Sequence, residues 1–241
     1  MLSGIIFPLC LLLFAGFAYA QPPEPSAYWR FDQIQQGQIS EKSGRFPGVL
    51  RQNAEYELIS LGTGKALDFS KFEPEKNSAA GMRIANAALD TNAPFSVTAS
   101  FKLNQETAQG QGYRAHKSLL ANCGTRGPGL RIAIFYGMLR CNSGDGEKSE
   151  GINTVASKVA LPPERLLQLA VTYDGAILSI YLEGAPVASG EMSISPNSRD
   201  WYVGSLDGKH YGFLGAMQEL GVYTKALSQT EVAELYLRKQ P

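Results

Sequence analysis

The chain holds two histidines, His116 and His210, and each has a tyrosine close by. Tyr113, Arg114 and His116 share one polar segment. Asp207, His210 and Tyr211 share another, Asp207-Gly208-Lys209-His210-Tyr211-Gly212, which lies between two strand-like runs. Sugar rings present apolar C–H faces that stack on aromatic rings, and their hydroxyls need acidic, basic or amide partners at the rim. These six residues form the candidate ligand-binding set. The alternative for the second segment is structural, with Tyr211 covering a sheet edge and His210 merely exposed.

Catalytic patterns do not stand out. There is no Gly-x-Ser-x-Gly, no His-Glu-x-x-His and no phosphate-binding loop in the sequence. Glycoside hydrolysis needs two carboxylates about 5–9 Å apart across a cleft. Glu73-Pro74-Glu75 has proline at its centre, Glu147 and Glu150 fall in a polar loop, and Glu231 and Glu234 fall on a helical segment. Each reads as a solvated surface acid. With no Cys-x-x-Cys and so few histidines, no metal site is expected.

The 241 residues carry 22 basic and 22 acidic side chains. Balanced charge excludes a basic nucleic-acid footprint, and 44% apolar content excludes global disorder. Met1 to Ala20 has no charged side chain, an apolar core from Ile5 to Phe14, and a closing Ala18-Tyr19-Ala20. It reads as a secretory signal peptide over residues 1–20, followed by a proline-rich lead-in at 21–25 and one domain at 26–241. The alternative is an uncleaved anchor, because the run approaches spanning length. Export implies a secreted, periplasmic or cell-surface protein with no membrane span after leader cleavage. Cys10 leaves with the leader. Cys123 and Cys141 then allow one pairing. A hairpin turning at Tyr136-Gly137 would bring Cys141 beside the start of the preceding strand, near Cys123. A disulfide between Cys123 and Cys141 is the expectation, with two free thiols as the alternative.

The elements that must position these groups are mostly strands. Phe95, Val97, Ala99, Phe101 and Leu103 alternate with Ser96, Thr98, Ser100 and Lys102, which makes one face apolar and the other small and polar. Leu167 to Tyr173 alternates likewise, Asp174-Gly175 signals a turn, and Leu178 to Leu182 returns. Trp29 and Trp201 sit within strand patterns and read as core. One segment is helical: Ser228-Gln229-Thr230-Glu231 is a capping box, followed by Val232, Leu235 and Tyr236 at helical spacing. Many short strands with glycine-rich turns predict an all-β antiparallel sandwich with a short C-terminal helix.

An ordered set of segments resembles the laminin G-like domains of the concanavalin A-like lectin/glucanase superfamily. The set comprises Ala27-Tyr28-Trp29-Arg30-Phe31-Asp32, Gly64-Lys65-Ala66-Leu67-Asp68-Phe69, the strand at Phe95 to Leu103, Leu169 to Gly175, and Phe213 to Tyr223 running on to Val232. The resemblance implies a jelly-roll β-sandwich of two sheets, one of them concave. It also implies a structural calcium between the first loop and the last strand. Here Gln218 stands where that family usually has Asp, and Arg45 where it usually has Asn, with Asp32 and Glu219 nearby. An arginine opposes a cation, so the calcium site reads as degraded and no cofactor is expected. Enzymes of the superfamily often space acids Glu-x-Asp-x-Glu along a strand, which this chain lacks. A lyase would want a Tyr–His pair such as Tyr113 with His116 or His210 with Tyr211.

The resulting expectation is an exported, non-catalytic binding module whose partner is a glycan. Two other readings stay open: a polysaccharide-cleaving enzyme on the same fold, and an adhesion module that binds an extracellular protein.

Overall fold

The computed structural model describes residues 23–52, 54–71, 80–105, 116–146 and 152–239. The signal peptide expected at 1–20 lies outside the described residues. Among the described residues, no helix is long and apolar enough to cross a membrane.

Among the described residues, sixteen strands, one short 3-10 helix (Asn86–Ala88) and one α-helix follow in order. The strands are β1 (Ala27–Arg30), β2 (Gln38–Ile39), β3 (Gly48–Leu50), β4 (Glu57–Leu61), β5 (Gly64–Asp68), β6 (Met82–Ile84), β7 (Phe95–Leu103) and β8 (His116–Ala121). They continue with β9 (Leu130–Phe135), β10 (Met138–Ser143), β11 (Asn153–Ala160), β12 (Leu166–Tyr173), β13 (Ile177–Leu182), β14 (Ala185–Glu191), β15 (Trp201–Val203) and β16 (Gly215–Tyr223). The helix α1 spans Gln229–Arg238. The first sheet runs β14-β13-β12-β7-β16-β5-β4, with β1 also on β16. The second runs β11-β10-β9-β8-β15-β6-β3-β2. All named pairings are antiparallel. The all-β sandwich with a C-terminal helix is therefore the fold.

Period-two alternation explains the layers. Phe95, Val97, Ala99, Phe101 and Leu103 of β7 join Leu167, Leu169 and Val171 of β12 in the core between the sheets. Trp29 and Trp201 are buried there as well. Trp29 is anchored by its indole N–H, which donates to the Phe46 carbonyl at 2.7 Å. Aromatic edges interlock at Phe31–Phe69 (6.2 Å) and Phe101–Phe213 (6.0 Å), a geometry that favours ring packing beyond burial alone.

The other face of β7 is small and polar for a reason. Ser96 Oγ donates to the Lys225 carbonyl at 2.9 Å and accepts from the Leu227 N–H at 2.8 Å. These bonds fasten the chain that leads into α1. Ser228 Oγ accepts from the Glu231 N–H, and the Glu231 carboxylate accepts from the Ser228 N–H at 2.8 Å, so the capping box forms. Val232 and Leu235 then seat α1 on Ala170, Tyr181 and Tyr223 of the first sheet.

The expected disulfide is not formed. Cys123 and Cys141 are both free and buried. The hairpin does turn at Tyr136-Gly137, but Cys141 pairs with Ile132 on one side of β9, while Cys123 follows β8 on the other side. Two strand spacings of about 4.8 Å separate them, beyond the ~7 Å Cα limit of a disulfide. Cys141 belongs to the central core and Cys123 to a separate cluster with Ala121, Leu206 and Tyr211. Burial pushes both thiols up, Cys123 to about 11.

Candidate functional site

Strands β8, β9 and β10 lie side by side, and their register decides which side chains share a face. Leu130, Ile132, Ile134, Leu139 and Cys141 point into the core. His116, Ser118, Arg131, Ala133, Phe135 and Arg140 therefore share the outward face, with His116 opposite Phe135, Ser118 opposite Ala133, and Ala133 opposite Arg140. The small Ala133 leaves room for two guanidinium groups. Arg131 and Arg140 lie 5.0 and 4.6 Å from the Phe135 ring centre.

His116 is the hub of this face. Its imidazole stacks on Phe135 at 4.2 Å and meets Tyr136 edge-on at 5.3 Å. Tyr211 lies nearly parallel to it at 6.4 Å. Arg131 also covers Tyr211 at 4.6 Å, while its Nε donates to Ser118 Oγ at 2.8 Å. Burial lowers the His116 pKa, and the positive charges of Arg131, Arg140 and Lys117 lower it further. The imidazole is therefore neutral at pH 7. Its Nε2 makes no hydrogen bond among the described residues. That nitrogen is itself buried.

Backbone conformation marks both tyrosines. Tyr136 and Tyr211 have φ of +49° and +52°. Left-handed backbone is costly for a bulky side chain, and such strain concentrates where a side chain must be aimed. Tyr136-Gly137 forms the two-residue loop between paired Phe135 and Met138, with Gly137 at φ +74°. That geometry favours Asn-Gly, so tyrosine there breaks the local preference. Tyr136 as a residue is 56% exposed. Tyr211 is fastened by its carbonyl, which accepts from the Ser118 N–H at 2.9 Å.

The six residues singled out from sequence divide into three groups. Tyr113 and Arg114 lie outside the described residues. His116 and Tyr211 meet on the outward face of the second sheet. Asp207 and His210 pair with each other at 2.7 Å (Oδ2 to Nδ1), and Asp207 Oδ1 also accepts from the Lys209 and His210 N–H groups. Burial would raise the Asp207 carboxyl, but these bonds outweigh it and hold the pKa low. Asp207 also lines a neighbouring cleft of about 400 Å³ with Arg51, Arg83 and Tyr202. Within its own loop, Asp207 shapes the turn that delivers Tyr211.

Sequence reasoning missed Phe135, Tyr136, Arg131 and Arg140. Two signals were present. Arginine interrupts an otherwise apolar strand at Arg131, and tyrosine replaces asparagine in a Tyr136-Gly137 turn.

The residues weighed for calcium are engaged otherwise. Asp32 ion-pairs with Arg30 at 3.0 Å, the Gln218 amide donates to the Leu61 carbonyl at 3.0 Å, and the Arg45 guanidinium donates to the Ser26 carbonyl at 2.8 Å. No group of three or more metal-ligating side chains occurs among the described residues.

A laminin G family model of the concanavalin A-like lectin/glucanases superfamily matches residues 76–233. The chain belongs to this superfamily. The match takes in β6 to β16, and so includes every strand that carries the His116 face. No curated protein matches the chain. Among solved structures, it is similar to domain 4 of AbnA, an extracellular arabinanase from Geobacillus stearothermophilus in complex with arabinotriose. That likeness has 18% identity and TM-score 0.66, and covers 90% of this chain and all of that one. The binding domain of Paraclostridial Mosquitocidal Protein 1 is similar at 12% identity and TM-score 0.67, with 88% of this chain and 52% of that one covered. The botulinum neurotoxin serotype D ligand-binding domain, in complex with N-acetylneuraminic acid, is similar at 11% identity and TM-score 0.65, with 90% and 51% covered. The chain thus spans about half of these toxin domains. Likeness at this identity shows that the superfamily fold is shared.

Proposed function

We propose that the protein is a non-catalytic carbohydrate-binding module that acts outside the cytoplasm, with its saccharide stacked on the outward face of the second sheet. One observation carries the reading: Tyr136 and Tyr211 both hold left-handed backbone, and both rings flank His116. A sugar would lie on the exposed Tyr136 ring, with Arg140 supplying donors at the rim. The sugar-bound relatives support the ligand class. The apolar leader at Met1 to Ala20 supports export. A protein-docking module would favour one contiguous apolar patch. Of the exposed large apolar side chains among the described residues, Tyr136 lies in the β9–β10 turn and Val159 on the adjoining β11, while Ile177 lies on β13 and Leu237 on α1.

The test is a saccharide panel headed by arabinotriose and sialyllactose, titrated calorimetrically with calcium and with chelator, with chain ends assayed in the same samples. Saturable binding without new reducing or unsaturated ends is expected. Release of new ends would overturn the non-catalytic reading, and silence across the panel would overturn the ligand class.

A further inference from the structure

The outward face of the first sheet carries a cleft of about 530 Å³ that the His116 face does not use. Arg30, Lys42, Lys65 and Lys239 line it together with Gln168 and a single carboxylate, Glu219. That carboxylate is already committed. It accepts from Ser100 Oγ at 2.7 Å and from the Tyr28 hydroxyl, and it meets the Lys239 ammonium. Its charge is balanced within the floor by Lys239, leaving Arg30, Lys42 and Lys65 at the rim. Arg30 and Lys42 hold Asp32 and Glu24, each at 3.0 Å, but both cations are about two-thirds exposed and such pairs exchange readily with an incoming anion. Lys65 makes no ion pair, and the Gln168 side chain no hydrogen bond, among the described residues. Lys65 is thus the cation of this cleft that is not already committed to a carboxylate.

Local structure holds the cations in place. Gln218 is the extra residue of a bulge in β16 between Met217 and Glu219. Its amide reaches over Gly64, where an added Cβ would approach the amide nitrogen to 2.7 Å, and bonds the Leu61 carbonyl. The bond ties the β4–β5 turn to the sheet beside Lys65. The bulge also divides one edge of β16 between two partners, β5 at Ala216–Met217 and β1 from Glu219 onward. Lys65 and Arg30 are thereby brought to the same cleft.

We infer that this cleft is a second binding site, for an acidic saccharide bearing carboxylate or sulfate groups. Exposed cations gathered around a cleft attract an anionic ligand once their surface partners are displaced. Its volume falls in the ~300–1,000 Å³ range of small-ligand sites. Amide and hydroxyl groups at Gln168 and Thr63 suit a hydroxylated anion. Because the two sites lie on opposite sheets, the protein would bridge two saccharide chains.

The experiment is affinity electrophoresis of the leaderless protein, beginning at residue 21, through polygalacturonate, dextran sulfate and neutral dextran, at low and high salt. Retention by at least one polyanion at low salt, lost as salt screens the charges, is expected, and neutral dextran should give none. Lys65→Glu should weaken retention about tenfold with an unchanged melting temperature, through both a lost attraction and a new repulsion. Lys65→Arg should retain binding. Lys42→Glu, from a different element, repeats the test should Lys65→Glu alter the melt. Tyr136→Asn, which disables the other face, should leave polyanion binding intact, so the two readings fail separately. The inference is overturned if neither polyanion is retained, if both charge reversals bind like the parent, or if Tyr136→Asn removes the retention.

Discussion

Replacing Tyr136 with asparagine separates ligand contact from fold stability. The residue sits at φ +49° in a two-residue turn and is 56% exposed. Left-handed backbone costs an ordinary residue about 1–2 kcal/mol, and asparagine less because its short amide bonds locally. Against that gain, the substitution loses the edge-on contact with His116, centred at 5.3 Å. Such a contact contributes about 0.5–1.5 kcal/mol. The two nearly cancel, so the urea midpoint should move by no more than the equivalent of ~1 kcal/mol. Binding has no such offset. Losing one stacked ring, about 1 kcal/mol, should weaken the saccharide selected by the panel roughly fivefold. The assay pairs calorimetric titration with urea unfolding on the same preparations. Unchanged affinity would refute the reasoning, because the strained backbone would then have no ligand-facing purpose. A stability loss above ~2 kcal/mol would also refute it, by showing that the ring is structural.

Three further outcomes test the architecture. Protein beginning at residue 21 should show no thiol reactive toward dithionitrobenzoate when native, since Cys123 and Cys141 are buried, and two in denaturant without reductant; none in denaturant would restore the disulfide. Gly204→Ala should lose about 3 kcal/mol in urea unfolding, because a Cβ at φ +76° would meet the Phe69 ring at 2.4 Å, and a neutral result would mean that ring can move aside. Glu41 is only 4% exposed. Burial tends to raise its carboxyl, but hydrogen bonds from Ser43, Tyr28 and Arg45 hold the pKa below its ordinary 4.5. The unfolded chain therefore binds the proton first, so this stabilisation is complete above the unfolded value and is lost as pH falls through the folded one. Glu41→Gln should flatten that acid limb, and an unchanged pH profile would contradict the assignment.

Much of the fold was legible in the sequence because its signals are local. Alternation from Phe95 to Leu103 reports one strand with one buried face, since side-chain direction repeats every two residues. The Ser228–Glu231 box reports a helix start, since both partners lie within one turn. Tyr136-Gly137 reported the turn of a hairpin. The ordered segments from Trp29 to Val232 together reported the sandwich. None of these statements needs a distant contact.

The site was legible only in part, because it is assembled by register between strands. His116 and Tyr211 could be singled out by type, yet 20 Å or 6 Å between them would have left the sequence pattern the same. The tertiary structure decided for 6.4 Å by fastening the Tyr211 carbonyl to the Ser118 N–H. Pairing likewise decided the cysteines: the hairpin was read correctly, but β8 lies on the opposite side of β9 from β10. On the other sheet, a one-residue bulge at Gln218 gathers Arg30 and Lys65 around one cleft. Sequence periodicity determines which residues face outward along each strand. Which outward residues become neighbours depends on strand order, register and bulges, and those are set by the packing of the whole chain.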